Sequence, residues 1–151
     1  MATKTTLRAE IRSQRRGRRA FPGTSIGARS SDTDQAPLPV RHRAEAEGIA
    51  FQVRALASSM GSVALPALFV PTPLEPDLSL TLGLFPRALL PVLVDEAGVA
   101  LSGPRWGVWE AGQALVMPGR PPAQPAGEAL GSEALAGADL ILVPALAGGL
   151  D

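Results

Sequence analysis

The chain contains no cysteine and a single histidine, His42. Without cysteine there is no disulfide framework and no thiolate metal site. One histidine excludes a histidine-rich metal cluster and argues against a hydrolytic triad. Tyrosine is absent and aromatic residues make up only 4% of the chain. An RNA-binding sheet needs exposed aromatics between basic residues, so that class is poorly supported. No run of 18 apolar residues occurs, and nothing reads as a membrane-spanning helix. The arginine-rich start has no apolar stretch and does not read as a signal peptide. Phosphate-loop, dinucleotide and nucleophile-elbow glycine motifs are all missing. These absences lead us to expect a cytoplasmic protein with no membrane partner.

What is present is a substantial apolar fraction. Hydrophobic residues make up 46% of 151 residues, enough for one domain with a real core. Sixteen glycines and 15 prolines punctuate the chain without reaching low-complexity composition. The net charge of zero hides an asymmetry. Residues 1–54 carry 11 Lys/Arg and 5 Asp/Glu, a net +6, whereas residues 55–151 carry 3 and 9, a net −6. A basic front end suggests an anionic partner: nucleotide, nucleic acid or an acidic surface.

The strongest local signal is the apolar run 140–143, closed by Pro144. It is too short for a helix and reads as a strand buried on both faces, as in a parallel sheet. Open α/β sheets bind ligands in loops after the carboxyl ends of strands, so residues 144–147 would belong to a site.

Ahead of this strand, residues 4–19 predict a basic helix with Leu7 and Ile11 as a narrow apolar stripe. Lys4 and Arg8, four apart and therefore on one face, either grip phosphate or form a solvated charged face. Residues 21–39 read as a linker. Residues 40–60 predict a helix with a stripe of Ile49, Val53, Leu56 and Met60, ended by Gly61 and Ser62. Pro66 interrupts the next apolar run, so the strand is expected at 67–70 or at a sheet edge. Glu75 follows in a proline-stiffened loop, as either a solvated turn residue or a carboxylate aimed at a ligand. Residues 78–85 read as a short helix stopped by Pro86. Residues 88–94 read as a strand in which Pro91 marks a bend or an end. Trp106 and Trp109 follow in a loop, as packing residues or as a platform for a flat heterocycle. Residues 117–127 read as a surface loop, and 132–136 as a single turn. The runs at 67–70, 89–94 and 140–143 are expected to pair as neighbouring parallel strands.

In order, these segments resemble the 5-formyltetrahydrofolate cyclo-ligase (methenyltetrahydrofolate synthetase) family. The resemblance is carried by Lys4, Leu7, Arg8, Ile11, Arg15 and Arg16 in the first helix. It continues through Leu68, Phe69 and Val70 leading to Glu75, then Leu89, Leu90 and Pro91. It ends with Arg105 to Glu110 and with residues 138–147. The resemblance implies a three-layer α/β/α fold with a mostly parallel sheet, in one domain spanning 1–151. Within it, 1–20 form the basic helix, 21–39 a linker and 40–151 an incomplete sheet core. The implied reaction converts 5-formyltetrahydrofolate to 5,10-methenyltetrahydrofolate with ATP and Mg²⁺. The implied ATP contacts are Lys4 and Arg8, and the implied folate contacts are Val70, Glu75 and Trp106. The family's glycine-rich ATP loop, which follows residues 144–147 in its members, is not in this sequence. The chain is therefore expected to be a truncated member with little turnover, and no catalytic or metal residue is assigned. Two other readings remain: a non-catalytic remnant with weak folate or nucleotide binding, and a basic-helix module for nucleic acid.

Overall fold

The computed structural model describes residues 42–119 and 122–145, together with Ala9 and Ser13. The chain divides into two units, 1–34 with 144–151, and 35–143. Of the first unit only Ala9, Ser13, Pro144 and Ala145 are described, and Ala9 and Ser13 have helical backbone. The expected linker 21–39 lies outside the described residues, as does most of the basic helix.

The second unit begins with helix α1, Arg43–Ser59. Strand β1 is Pro66–Ala67, and a single helical turn, α2, spans Ser79–Leu82. Strands β2, Arg87–Val94, and β3, Ala100–Glu110, form a hairpin. A small ribbon pairs β4, Leu115–Val116, with β5, Gln124–Pro125. A 3₁₀ helix, Ser132–Gly137, leads into β6, Leu140–Ile141. The main sheet has the order β3-β2-β1-β6. Strands β2, β1 and β6 run parallel, as expected, and β3 is antiparallel to β2. The result is a mixed α/β sheet, and no helix among the described residues is long and apolar enough to cross a membrane.

Several expectations are corrected by this arrangement. In α1 the buried residues are Ala46, Ala50 and Val53, while Leu56 and Met60 are 45% and 46% exposed. The spacing was right but the inner line is rotated by roughly 60°, three residues around the helix.

Strand β1 starts at Pro66 and lies inside the sheet, not at an edge. The amide of Leu68 donates to Leu89 O at 2.9 Å, and Leu142 N donates to Ala67 O at 2.9 Å. Pro66 is the first residue of its strand, where a missing donor costs one bond at the end of a ladder. Pro91 likewise sits within β2 without ending it. Because Leu89 O faces β1, the missing N–H of Pro91 faces the same side, where β1 has already ended. The β2–β3 ladder therefore loses nothing, and Pro91 pairs with Trp106.

Trp106 and Trp109 lie on a strand rather than in a loop. Gly107 and Trp109 are buried while Val108 and Glu110 are exposed, the period-two pattern of a half-covered strand. The hairpin turn is built by Asp95, whose Oδ1 accepts from Ala97 N and Val99 N. Gly98 holds φ +80° there, and a β-carbon on it would run into the Pro118 carbonyl oxygen. Residues 117–127 are not merely a surface loop either, since Gln124 and Pro125 are buried.

The main core cluster lies on one face of the sheet, while Ala67 and Leu89, each 1% exposed, are buried on the other. Val53, Leu68, Val70, Leu82, Phe85, Ala88, Leu90 and Trp109 form the main cluster, with Leu140 and Leu142 packed alongside. Strand β6 is thus covered on one face only: Ile141 is 49% and Val143 71% exposed. The expectation of a strand buried on both faces fails because β6 is the sheet edge and its alternate residues point away from the core.

Asp139, just before β6, fastens this edge to the residues before β1. Its Oδ2 accepts from Ala64 N at 2.7 Å and Leu65 N at 2.9 Å. The Leu65 and Ala64 amides hold its carboxyl below the usual carboxylate range against the opposing effect of burial, with a lesser contribution from the charge of Arg87. A lowered folded-state pKa contributes stability above the unfolded value, and that contribution disappears as pH falls through the folded value. We expect Asp139→Asn to narrow the gap between urea midpoints measured at pH 7 and pH 3. An unchanged gap would show that this contact does not contribute to acid sensitivity.

Candidate functional site

Of the residues picked out from sequence, Val70 and Glu75 follow β1, and Trp106 lies on β3. After β1 the chain passes through Leu68, Phe69 and Val70 into the loop 71–78. Continuing the register Ala67↔Leu89 places Val70 level with Val92, one step beyond the Pro91↔Trp106 pair. Val70 and Trp106 therefore lie at nearly the same level, on either side of β2, just beyond the end of β1. They do not share a face. Val70 is 3% exposed and its side chain belongs to the core, so only its backbone can meet a ligand. Trp106 alternates with the buried Gly107 and points to the opposite face.

Glu75 is half-buried and turned back onto its own loop. Its Oε2 accepts from Thr72 N at 2.7 Å, and Glu75 N donates to Thr72 O at 3.1 Å. One oxygen is thus engaged in closing the turn, and the other is the one a ligand donor would use. Between the two readings of Glu75, the geometry gives it a definite loop-shaping role.

The two tryptophans differ. Trp109 donates its Nε1–H to Gln113 O at 2.9 Å and packs in the core. Trp106 is clamped through its backbone, with N to Leu130 O at 2.9 Å and Leu130 N to Trp106 O at 2.8 Å. Its Nε1 is buried and has no hydrogen-bond partner. An orphaned buried donor costs about 1–3 kcal/mol, and such a group in a native fold calls for an explanation.

Lys4 and Arg8 lie outside the described residues, as do 146 and 147 of the expected loop after β6. Among the described residues no group of three or more His, Cys, Asp or Glu could hold a metal ion.

Sequence reasoning passed over two residues. Asp77 is fully buried, and its carboxylate accepts from His42 N at 3.0 Å and Ser79 N at 3.0 Å. Its position two residues before a helical turn was a usable capping signal. Gln124 is 5% exposed, and no local pattern marks it. An open groove of about 420 Å³ lined by Arg54, Ser58, Ser62 and Phe85, among others, lies at the amino ends of β1 and β2. None of the sequence-predicted site residues lines it.

Comparison with known proteins adds no relative: no family model, no curated protein and no solved structure matches the chain.

Proposed function

We propose that this is a folate-binding α/β domain of the 5-formyltetrahydrofolate cyclo-ligase kind, working in the cytoplasm. What supports the reading is the indole of Trp106, held on β3 level with the residues that follow β1 and lead to the Glu75 loop, with a buried N–H that no protein atom accepts. In this proposal the pterin ring meets the Trp106 indole, a ring carbonyl accepts its N–H, and Glu75 receives donors on the pterin edge. The backbone at Val70 lies at nearly the same level. In this proposal a second helical layer over the face that buries Ala67 and Leu89 completes the three-layer arrangement. In the full reaction, the formyl oxygen takes the γ-phosphoryl group of ATP. The N10 amine then closes the ring on the activated carbon, and phosphate leaves. Lys4 and Arg8 are the residues proposed to contact the ATP phosphates, the positioning and charge neutralisation that phosphoryl transfer requires.

The test is calorimetric titration with 5-formyltetrahydrofolate, accompanied by an absorbance assay for methenyltetrahydrofolate with Mg-ATP. We expect binding that weakens about tenfold or more in Trp106→Ala and in Glu75→Ala. Absence of binding to the unmodified chain would overturn the folate reading. Salt-steep binding to nucleic acid in its place would favour the basic-helix module.

A further inference from the structure

The register of β2 slips between Val92 and Val94, and such an irregularity leaves strand amides without ladder partners. A side chain 30 residues further along the chain meets them. Gln124 Oε1 accepts from Leu93 N at 3.1 Å and Val94 N at 3.3 Å, and Gln124 Nε2 donates to Val94 O at 2.9 Å. One buried amide thus satisfies three backbone groups at the end of β2. The neighbouring Pro125 fills the space over Gly107, where an added β-carbon would lie 2.6 Å from Pro125 Cγ. Six residues after Gln124, Leu130 makes the two backbone bonds to Trp106. The segment 122–130 is therefore pinned at one end by Gln124 and at the other grips the residue whose indole N–H is unpaired.

We infer that Gln124 is a positioning residue for Trp106: by locking segment 122–130 to the end of β2, it sets the indole that the proposed folate would meet. The role of that indole rests on the folate reading. The mechanical coupling does not, so the two can fail separately. The three side-chain hydrogen bonds of Gln124 all go to backbone, and it acts through Pro125 on Gly107 and through Leu130 on Trp106.

The experiment reads the two indole N–H resonances of the whole chain by ¹H–¹⁵N spectroscopy, assigned with Trp106→Phe. Trp109, bonded to Gln113, serves as an internal control for the fold. In Gln124→Ala we expect the Trp106 indole N–H to shift and to exchange with solvent at least about tenfold faster, with the Trp109 signal in place. Gln124→Glu keeps the acceptor for Leu93 and Val94 and should restore most of the Trp106 signal. Gln124→Met, which keeps the volume and drops all three bonds, serves where the alanine variant does not fold, and should repeat its effect. A Trp106 signal unchanged in both the alanine and methionine variants would overturn the inference, as would equal loosening of both indoles. In titrations with 5-formyltetrahydrofolate the alanine variant should bind more weakly than the glutamate variant. Indole shifts without any folate binding would uphold the positioning role and reject the folate reading alone.

Discussion

Leu90→Ala is expected to destabilise the domain by about 3 kcal/mol, read as a lower urea midpoint with an unchanged slope. Leu90 is fully buried at the middle of β2 and belongs to the core with Val53 of α1 and Leu68. Its direct neighbour on β3 is Gly107, which has no side chain to move into the space. The parallel neighbour by register is Leu68, itself 1% exposed and fixed. The cavity would therefore collapse little, which places the cost well into the range for leucine truncations. Leu90→Met conserves volume and should cost less than about 1.5 kcal/mol. A loss under about 1 kcal/mol for the alanine variant would mean that the centre of the core lies elsewhere.

Asp77→Ala should cost a comparable amount, about 3 kcal/mol, for a different reason. Its carboxylate, fully buried, joins the N-terminus of α1 at His42 N to the N-terminus of α2 at Ser79 N. Alanine would leave two amides without their acceptor, each at about 1–3 kcal/mol if water cannot reach it. A negative charge at two helix N-termini also favours their dipoles. Amide hydrogen exchange at His42 and Ser79 should accelerate together, since one group serves both. Asp77→Asn retains a single carbonyl acceptor and should recover part of the loss. Acceleration at Ser79 alone would show that the tie to α1 is dispensable, leaving only a local cap.

The loop containing these residues shows how far local reading reaches. Pro73 and Pro76 announced a stiff turn, and Glu75 was visible as a carboxylate within it. That Glu75 closes the turn on Thr72 N, and that Asp77 is the buried partner of α1, depend on where α1 is packed. His42 and Asp77 are 35 residues apart, and no window of periodicity spans that distance. Trp106 was legible as a residue of interest because tryptophan is scarce here, with 2 in the chain. Its strand was not, because β3 exists only by pairing with β2.

The sequence by itself determined the elements whose signals are local. The helix at 43–59, the turn at 79–82, the 3₁₀ turn at 132–137 and the strand at 87–94 follow from periodicity, proline stops and turn chemistry within about a dozen residues, whereas the runs 67–70 and 140–143 are strand only at Pro66–Ala67 and Leu140–Ile141. The parallel pairing of those strands also followed, since the connections between them are too long for tight hairpins. Tertiary structure alone decided which line of α1 faces inward, that β6 is an edge with Ile141 and Val143 open, and that Pro66 sits in an interior strand. It also set Val70 and Trp106 on opposite faces and recruited Gln124 to β2. Each of these is a contact between residues far apart in the chain, from 30 for Gln124 and Val94 to 75 for Asp139 and Ala64. Burial and hydrogen-bond satisfaction are properties of the packed sheet, and they override local propensity wherever a buried backbone group needs a partner.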